Sequence, residues 1–272
     1  MTLCAGFWAR HDAAQPAIMA QPRVCNRCGI DGFLTSVVGR QRVVLWHGLC
    51  IGFARLVLRE HIVDDYEKAS FGQLPVGFGE KPGIVVIDFQ ICYTDGKYPF
   101  GGAPLVMRAL ENTAKLLEVA RRANVPVANC YTAYMNKREM PYWKISAVYD
   151  LLRHDNPASD FDPRIYDPEY DLKICKKGPS IFFQTGVADY FTKERVDTVI
   201  VTGCNTSGCI RAAAIDSFSH RYRTVIPEDC VGDLDEGPHH DNLRDVGRRY
   251  ADITDLQSCV AYIEEWSHRN AR

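Results

Sequence analysis

From Pro82 onward, short apolar runs alternate with longer segments in which apolar residues recur at helical spacing. The short runs are rich in β-branched residues and have the length of strands, which separates them from the helical segments. Strands that alternate with helices form a parallel sheet, because each helix carries the chain back to the end where the next strand begins. The pattern therefore predicts an α/β protein of three-layer α/β/α, Rossmann-like architecture, with a mostly parallel sheet and helices on both faces.

The ends of the apolar patterns set the predicted boundaries. Strands are predicted at residues 84–88, 125–130, 172–176, 198–201, 223–226 and 251–254. Helices are predicted at residues 104–123, 186–194, 239–249 and 255–266, with one more that opens at Cys209. Residues 131–170 have no clear period and are typical of a lid or a partner surface. Open α/β sheets bind ligands at the carboxyl ends of their strands, so we expect the functional site there.

The 272 residues suffice for one domain of about 200 residues and an additional segment. We predict an N-terminal extension of uncertain structure at residues 1–63 and an α/β domain at residues 64–272. The extension is basic and poor in acidic residues at its start, and residues 42–58 form an apolar stretch. A targeting segment, an interaction segment and an extended reading frame are all compatible with this composition.

Composition and charge exclude several classes of protein. The formal net charge is −2 and the basic residues are not clustered, so we expect no nucleic-acid partner. No apolar run reaches about 18 residues, which argues against a membrane span and a membrane partner. The 11 cysteines are an odd number and unevenly spread. This usage is typical of reduced thiols in a cytoplasmic enzyme.

We predict no metal and no organic cofactor. No Gly-x-Gly-x-x-Gly sequence follows a predicted strand, which argues against a dinucleotide. Two short-spaced pairs have a spacing that zinc sites use, but one of them lies within an apolar run; their residues are Cys25, Cys28, His47 and Cys50. His239 and His240 are adjacent and point in different directions on a helix, so a capping or surface role is expected for them.

The segment around Cys209 predicts a nucleophile. An apolar strand at residues 198–201 leads into a turn of Thr, Gly, Asn and Ser residues, and Cys209 then opens an Ala-rich helical segment. A thiol at a helix N-terminus meets unpaired amides and the helix dipole, which lower its pKa. The alternative is a small buried cysteine that packs the helix against the sheet.

Two further segments contribute polar residues at predicted strand ends. Asp88 ends a strongly apolar strand, where it serves as a ligand-binding carboxylate or as a turn-forming residue. Lys176 ends the strand at residues 172–176 and Lys177 follows it; they provide a functional cation or form a solvated pair on an exposed turn. Phe89 and Gln90, beside Asp88, and Tyr134, after the second strand, are candidate pocket residues, with core packing as the alternative.

Together these motifs resemble the isochorismatase-like cysteine hydrolases over about residues 70–266. The shared pattern is Asp88-Phe-Gln90, a lysine shortly before Ser180-Ile-Phe182, and a Gly-x-x-Thr-x-x-Cys turn that here comprises Gly203 to Cys209. Residues 207–211 and 72–79 are most similar to the N-carbamoylsarcosine amidase branch. The resemblance assigns residues 64–272 to a hydrolase domain of this kind.

The resemblance implies a catalytic triad of Asp88, Lys176 and Cys209. Lys176 matches the family position better than Lys177, because the family lysine stands four residues before the serine of Ser-x-Phe. Asp88 would act as general base and then acid, Lys176 would stabilise the charged groups, and Cys209 would form a thioester. The resemblance also implies a cis peptide bond between Cys204 and Asn205, and an oxyanion hole formed by the amides of Asn205 and Cys209.

These roles imply a cofactor-free cysteine amidohydrolase that cleaves a linear amide or ureido C–N bond of a small molecule and releases ammonia. Relatives of this kind assemble as dimers or tetramers, so a homo-oligomer is expected. Residues 129–134 lack the histidine of the nicotinamidase metal site, and Leu234 replaces an arginine that binds substrate carboxylates in some relatives. The alternatives are an isochorismatase-type or nicotinamidase-type hydrolase and a catalytically idle interaction module.

Overall fold

The computed structural model describes residues 33–38, 41–46 and 64–270. The chain divides into two compact units, Met1–His61 and Ile62–Arg272. In the first unit, strands β1 (Phe33–Val38) and β2 (Gln41–Trp46) pair in antiparallel fashion. The residues weighed as a zinc site lie outside the described part of the chain; they are Cys25, Cys28, His47 and Cys50.

The second unit is built on a seven-stranded sheet. Its strands are β3 (Pro82–Ile87), β4 (Val127–Thr132), β5 (Leu172–Lys176), β6 (Thr198–Cys204), β7 (Arg223–Pro227), β8 (Val231–Gly232) and β9 (Asp252–Thr254). The strand order is β5-β4-β3-β6-β7-β9, β8 pairs with β6, and every neighbouring pair is parallel. The predicted parallel sheet is confirmed.

Helices cover both faces of this sheet. The described helices of this unit are α1 (Asp65–Lys68), α2 (Ile91–Thr94), α3 (Pro104–Arg122), α4 (Val148–Leu151), α5 (Val187–Lys193), α6 (Arg211–Ser219), α7 (Glu236–Gly247) and α8 (Leu256–Asn270). In the central strand β3, Ile84 and Val86 pack in a core with α3 and α8, whereas Val85 and Ile87 pack with α5, α6 and α7. Because successive strand residues point to opposite faces, one apolar run supplies both cores, and the predicted three-layer architecture is confirmed.

The segment at residues 131–170 has a small core of its own. Its apolar side chains include Tyr134, Met140, Val148 and Leu152, which pack with Cys92 from α2. The side chain of Tyr142, in contrast, is fully exposed. This part of the sequence has no clear period because most of the segment is irregular and its apolar side chains pack in a separate core.

Several predicted boundaries differ from the structure by a few residues, and the differences at β6 and α7 have clear physical causes. Strand β6 extends to Cys204, past the predicted end at residue 201, because Thr202 is buried with its hydroxyl bonded to the Val85 carbonyl at 3.1 Å. Helix α7 begins at Glu236 and not at residue 239, with Asp235 as its N-cap. Pro238 is compatible with that start, because the first helical turn needs no amide donor. Of the helices described, none has the length and apolar character that a membrane span requires.

Candidate active site

The carboxyl edge of the sheet brings together three residues that are distant in the sequence. Asp88 follows β3, Lys176 ends β5, and Cys209 lies in the turn between β6 and α6. The amide of Asp88 still donates to the Cys130 carbonyl at 3.1 Å, so the ladder continues to this residue. Its φ of 54° then turns the chain away from the strand direction. A residue other than glycine in this region is uncommon and often marks a functional position.

Lys176 contacts both other members of this cluster. Its Nζ lies 2.8 Å from Asp88 Oδ2 and 3.4 Å from Cys209 Sγ. It also donates hydrogen bonds to Thr132 Oγ1 at 2.8 Å and to the Gly178 carbonyl at 3.2 Å. The side chain is 1% exposed, so the ammonium group depends on these partners and not on water. The structure thus brings Asp88, Lys176 and Cys209 into one site.

The two carboxylate oxygens of Asp88 have different partners. Oδ1 accepts a hydrogen bond from Thr132 Oγ1 at 3.3 Å. Apart from the ion pair with Lys176, Oδ2 has no hydrogen-bond donor among the described residues. An oxygen in this state, beside a thiol, is suited to accept a proton.

Burial and charge set the ionisation of the site. Burial by itself would lower the pKa of Lys176, but the negative charge of Asp88 raises that pKa well above its usual value. Burial raises the pKa of Cys209 to about 12; the Asp88 charge adds to this, and Lys176 opposes it. The expectation that the helix N-terminus lowers the pKa of this thiol is therefore wrong, because burial and the charge of Asp88 outweigh the opposing effect of Lys176.

Two other thiols lie close to Asp88. Cys204 Sγ donates to the Asp88 carbonyl oxygen at 3.2 Å, and Cys130 precedes the end of β4. Burial raises the pKa of both thiols well above the usual value. Only Cys175 and Cys209 are partly exposed among the seven cysteines of the described residues, all of which are free thiols. Exposure therefore distinguishes Cys209 from its buried neighbours.

Cys209 lies in a single π-helical turn, Thr206–Ile210, and not at the first residue of an α-helix as expected. The Asn205 carbonyl accepts hydrogen bonds from the amides of Gly208 at 3.0 Å and Ile210 at 3.2 Å. Helix α6 begins only after this turn. Single π turns inside helical segments are frequent at functional sites.

The surroundings of this turn include the residues predicted to form the oxyanion hole. The peptide bond between Cys204 and Asn205 is cis. The Ser207 amide donates to Asp233 Oδ2 at 2.7 Å. The amides of Asn205 and Cys209 take no part in these bonds, and their role as oxyanion donors stays a prediction.

The predicted pocket residues Phe89 and Gln90 are buried. Phe89 packs in the core beneath α3 and α8. The Gln90 side-chain amide donates to the carbonyls of Thr132 at 3.0 Å and Ser159 at 2.8 Å, and its oxygen accepts from the Thr132 amide at 2.9 Å. Gln90 thus joins β4 to the segment at residues 131–170. Direct contact of either side chain with a substrate stays a prediction.

Tyr134, the third predicted pocket residue, is also buried. Its hydroxyl donates to the Lys177 carbonyl at 2.9 Å and accepts from Trp143 Nε1 at 3.1 Å. The Lys177 ammonium forms an ion pair with Glu139 at 2.8 Å. Lys177 therefore has a partner of its own, and the triad contact belongs to Lys176.

Thr132 and His239 contribute to the site without a distinctive sequence signal. Thr132 Oγ1 bonds with both Lys176 and Asp88. His239 Nδ1 lies 2.8 Å from Thr206 Oγ1, and the imidazole is buried. The expected capping or surface role of His239 is wrong, because α7 begins three residues earlier and turns this side chain inward. His240 is exposed.

A cavity of about 910 Å³ lies apart from these residues, between the loop before β3, α7 and β9. Its lining includes Phe71, Phe78, Leu243 and Arg244, but none of the triad residues. No group of three or more His, Cys, Asp or Glu side chains suited to a metal ion occurs in the part of the chain that the structure describes.

Comparison with known proteins identifies several relatives. The isochorismatase domain model matches residues 82–258. The chain is 34% identical over 201 residues to the maleamate amidohydrolase of Pseudomonas putida, covering 72% of this chain and 92% of the relative. It is 28% identical over 195 residues to the N-carbamoylsarcosine amidase of an Arthrobacter species, covering 70% and 74%.

The solved structure of a cysteine hydrolase from Pseudomonas syringae pv. phaseolicola superposes with a TM-score of 0.64 at 18% identity, covering 68% of this chain and 93% of that one. At this identity the likeness concerns the fold alone. The domain match, in contrast, covers more than half of the chain and includes Asp88, Lys176 and Cys209. The resemblance predicted from the motifs is confirmed, and the chain belongs to the isochorismatase family.

Proposed function

We propose that this chain is a cysteine amidohydrolase that cleaves a linear amide or ureido C–N bond of a small molecule and releases ammonia. The position of Lys176 Nζ, 2.8 Å from Asp88 Oδ2 and 3.4 Å from Cys209 Sγ, carries the proposal. This geometry puts a nucleophile, a proton acceptor and a cation within reach of one carbonyl group. The names of the relatives, maleamate amidohydrolase and N-carbamoylsarcosine amidase, support this reaction type.

In the first half of the reaction, Cys209 Sγ bonds to the amide carbonyl carbon while Asp88 takes the thiol proton. This order follows from the raised pKa of Cys209, because the free thiol does not ionise by itself near neutral pH. The amides of Asn205 and Cys209 stabilise the oxyanion. Asp88 then passes the proton to the nitrogen, the C–N bond breaks, and ammonia leaves an acyl group on Sγ.

In the second half, water attacks the thioester while Asp88 takes one of its protons. The C–S bond breaks, the acid is released, and the proton returns to Sγ. Lys176 stays protonated throughout, since its pKa is raised by the Asp88 carboxylate beside it. Its positive charge is near both Asp88 and Cys209 Sγ. It therefore stabilises the ionised carboxylate and also the thiolate when it forms.

Ammonia release by the purified full-length chain tests the proposal. The panel contains maleamate, N-carbamoylsarcosine and ureidoacrylate, which carry a carboxylate, and the neutral compounds biuret and nicotinamide. Both classes are needed because Leu234 offers no cation to a carboxylate. We expect turnover by the wild type, none by Cys209→Ala, and normal turnover by Cys175→Ser, the matched variant at the other partly exposed thiol. Turnover by Cys209→Ala, or none on any amide, would contradict the proposal.

We also propose that the chain forms a homo-oligomer, acts without a metal or cofactor, and works in the cytoplasm. Large apolar side chains stay exposed along or near the carboxyl edge of the sheet, which supports an interface there; they are Met135, Tyr142, Ile145, Phe183 and Leu234.

Light scattering should give twice or four times the chain mass, and a monomer would contradict the proposed homo-oligomer. A chelator such as EDTA should leave turnover unchanged, and cell fractionation should find the chain in the cytosol.

A further inference from the structure

We propose that His239 is a positioning residue for the nucleophile, because it holds, through Thr206, the turn that carries Cys209. The contact joins α7 to the first residue of the π turn, Thr206–Ile210. The inference rests on the proposed function only in what it says about turnover. The placement of Cys209 Sγ beside Lys176 and Asp88 is a separate, measurable consequence.

The hydrogen bond between Thr206 and His239 is out of reach of water. Thr206 Oγ1 lies 2.8 Å from His239 Nδ1, and both residues are 1% exposed. A buried polar group that loses its partner loses the hydrogen bond without gaining one to solvent. The bond therefore constrains the position of Thr206 more strongly than an exposed contact would.

A second tie reaches the turn from the same side. The Ser207 amide donates to Asp233 Oδ2 at 2.7 Å, and Asp233 follows β8, just before α7. Both ties join the start of the turn, while Lys176 contacts Cys209 Sγ three residues further on. The segment from β8 to α7 thus anchors the turn, and the triad meets the residue that the anchored turn presents.

The imidazole of His239 suits this role as a neutral group. Burial lowers the pKa of His239, and the neighbouring His240 and Arg108 lower it further, against Asp233 and Glu236. A neutral imidazole has one donor and one acceptor nitrogen, and a threonine hydroxyl can pair with either. The contact therefore does not require a proton to be gained at neutral pH.

Loss of the bond should act on the reaction step more than on substrate binding. The amide of Asn205, adjacent to Thr206, and that of Cys209 are the proposed oxyanion donors. A displacement of about 1 Å in such a group reduces turnover by about a hundredfold. Such a displacement would also move Sγ away from Lys176 Nζ, which lies 3.4 Å from it.

The test measures the rate at which iodoacetamide alkylates Cys209, followed by peptide mass spectrometry in the Cys175→Ser background. Thr206→Val and His239→Leu remove the hydrogen bond. Thr206→Ser and His239→Asn keep a hydrogen-bonding group near the same position. Thr202→Val is the matched control, because it deletes a buried hydroxyl of β6 that bonds with the Val85 carbonyl, away from the triad.

We expect Thr206→Val and His239→Leu each to slow alkylation of Cys209 by about fivefold or more, and the double variant to be no slower than either single one. Thr206→Ser and His239→Asn should stay within about twofold of wild type, because they preserve the bond. Wild-type rates in Thr206→Val, or an equal loss in Thr202→Val, would overturn the proposal. If His239→Leu does not fold, the comparison of Thr206→Val with Thr206→Ser decides the test.

Turnover supplies the second readout on any substrate of the panel that is hydrolysed. The same two variants should lower kcat and leave KM nearly unchanged, which loosened packing alone would not produce selectively. Altered labelling without amide turnover in the wild type would remove the proposed function and leave the positioning role intact. Amide turnover by the wild type, with wild-type labelling rates in every variant, would support the proposed function and overturn the positioning role of His239.

Discussion

At the scale of single residues, Lys176 has the most contacts in the site. Its ammonium touches Asp88, Cys209 and Thr132 while being almost fully buried. A buried charge without a partner is costly, so the ion pair between Lys176 and Asp88 is needed by both side chains. Substitution of Lys176 therefore tests the proposed catalytic role directly.

Replacement of Lys176 with methionine should abolish turnover while the fold survives. The shape of the side chain is nearly kept and the charge is lost, so neither the thiolate nor the carboxylate is stabilised. Members of a catalytic unit typically contribute at least about a thousandfold to kcat. Steady-state ammonia release measures this, and Lys177→Met is the control, since Lys177 pairs with Glu139 outside the triad. Equal losses in the two variants would argue against the assignment.

The pH dependence of alkylation should reveal the raised pKa of Cys209. Because that pKa is about 12, the thiolate fraction is small at neutral pH and grows throughout the alkaline range. The alkylation rate of Cys209 should therefore still be rising at about pH 9.5, where a thiol of ordinary pKa, about 8.5, approaches its plateau. Stopped-time labelling from pH 6.5 to pH 9.5 measures this, and a plateau near pH 8 would contradict it.

At the scale of elements, the passage from β6 into the nucleophile turn depends on one glycine. Gly203 has a φ of 122°, and a Cβ at this position would collide with the Ile87 carbonyl of β3. The strand that ends in Asp88 and the strand that leads to Cys209 can therefore lie side by side only because residue 203 has no side chain. This close approach brings Asp88 and the turn that carries Cys209 to neighbouring strand ends.

Gly203→Ala should destabilise the domain by about 2 kcal/mol or more, because the substitution adds backbone strain to a collision with the main chain. Gly186→Ala is the control, since Gly186 has a negative φ and open space around its Cβ position. Thermal and urea unfolding measure the difference. Equal stability of the two variants would show that β3 and β6 can separate without cost.

At the scale of the whole molecule, the two cores bury thiols as well as aliphatic side chains. Cys259 in α8 is fully buried, and burial raises its pKa to about 12; Cys204 and Cys230 are shifted in the same direction. Such thiols favour the folded state while they are protonated, because the unfolded chain loses its thiol protons near pH 8.5, about the ordinary cysteine pKa.

Stability should therefore be complete below about pH 8.5 and decrease above it. The expected decrease in the free energy of unfolding is up to about 1.4 kcal/mol per pH unit for each buried thiol, until the folded pKa is reached. Urea unfolding with a reductant at pH 7.5, 8.5 and 9.5 measures the effect. Cys259→Val should reduce the slope, and a midpoint that does not change with pH would contradict the account.

Much of the fold was predictable because strands and helices of an α/β domain have local periodic signals. The apolar run of β3 indicates a strand and the helical spacing of α3 indicates a helix. The order of such segments along the chain predicts the parallel sheet. The boundaries of β6 and α7 were missed because they depend on contacts that a local pattern does not contain: the buried Thr202 hydroxyl and the Asp235 cap. Residues 131–170 gave no local period, and their core forms only in three dimensions.

The sequence by itself determined the residue types of the site and the strand ends at which they stand, because short motifs and apolar periods are local properties. The tertiary structure alone decided how they interact. It showed that burial raises the pKa of Cys209, that Lys176 and not Lys177 reaches the carboxylate, and that His239 points inward to Thr206. Desolvation, charge pairing and buried hydrogen bonds depend on neighbours that are distant along the chain, and no local pattern records them.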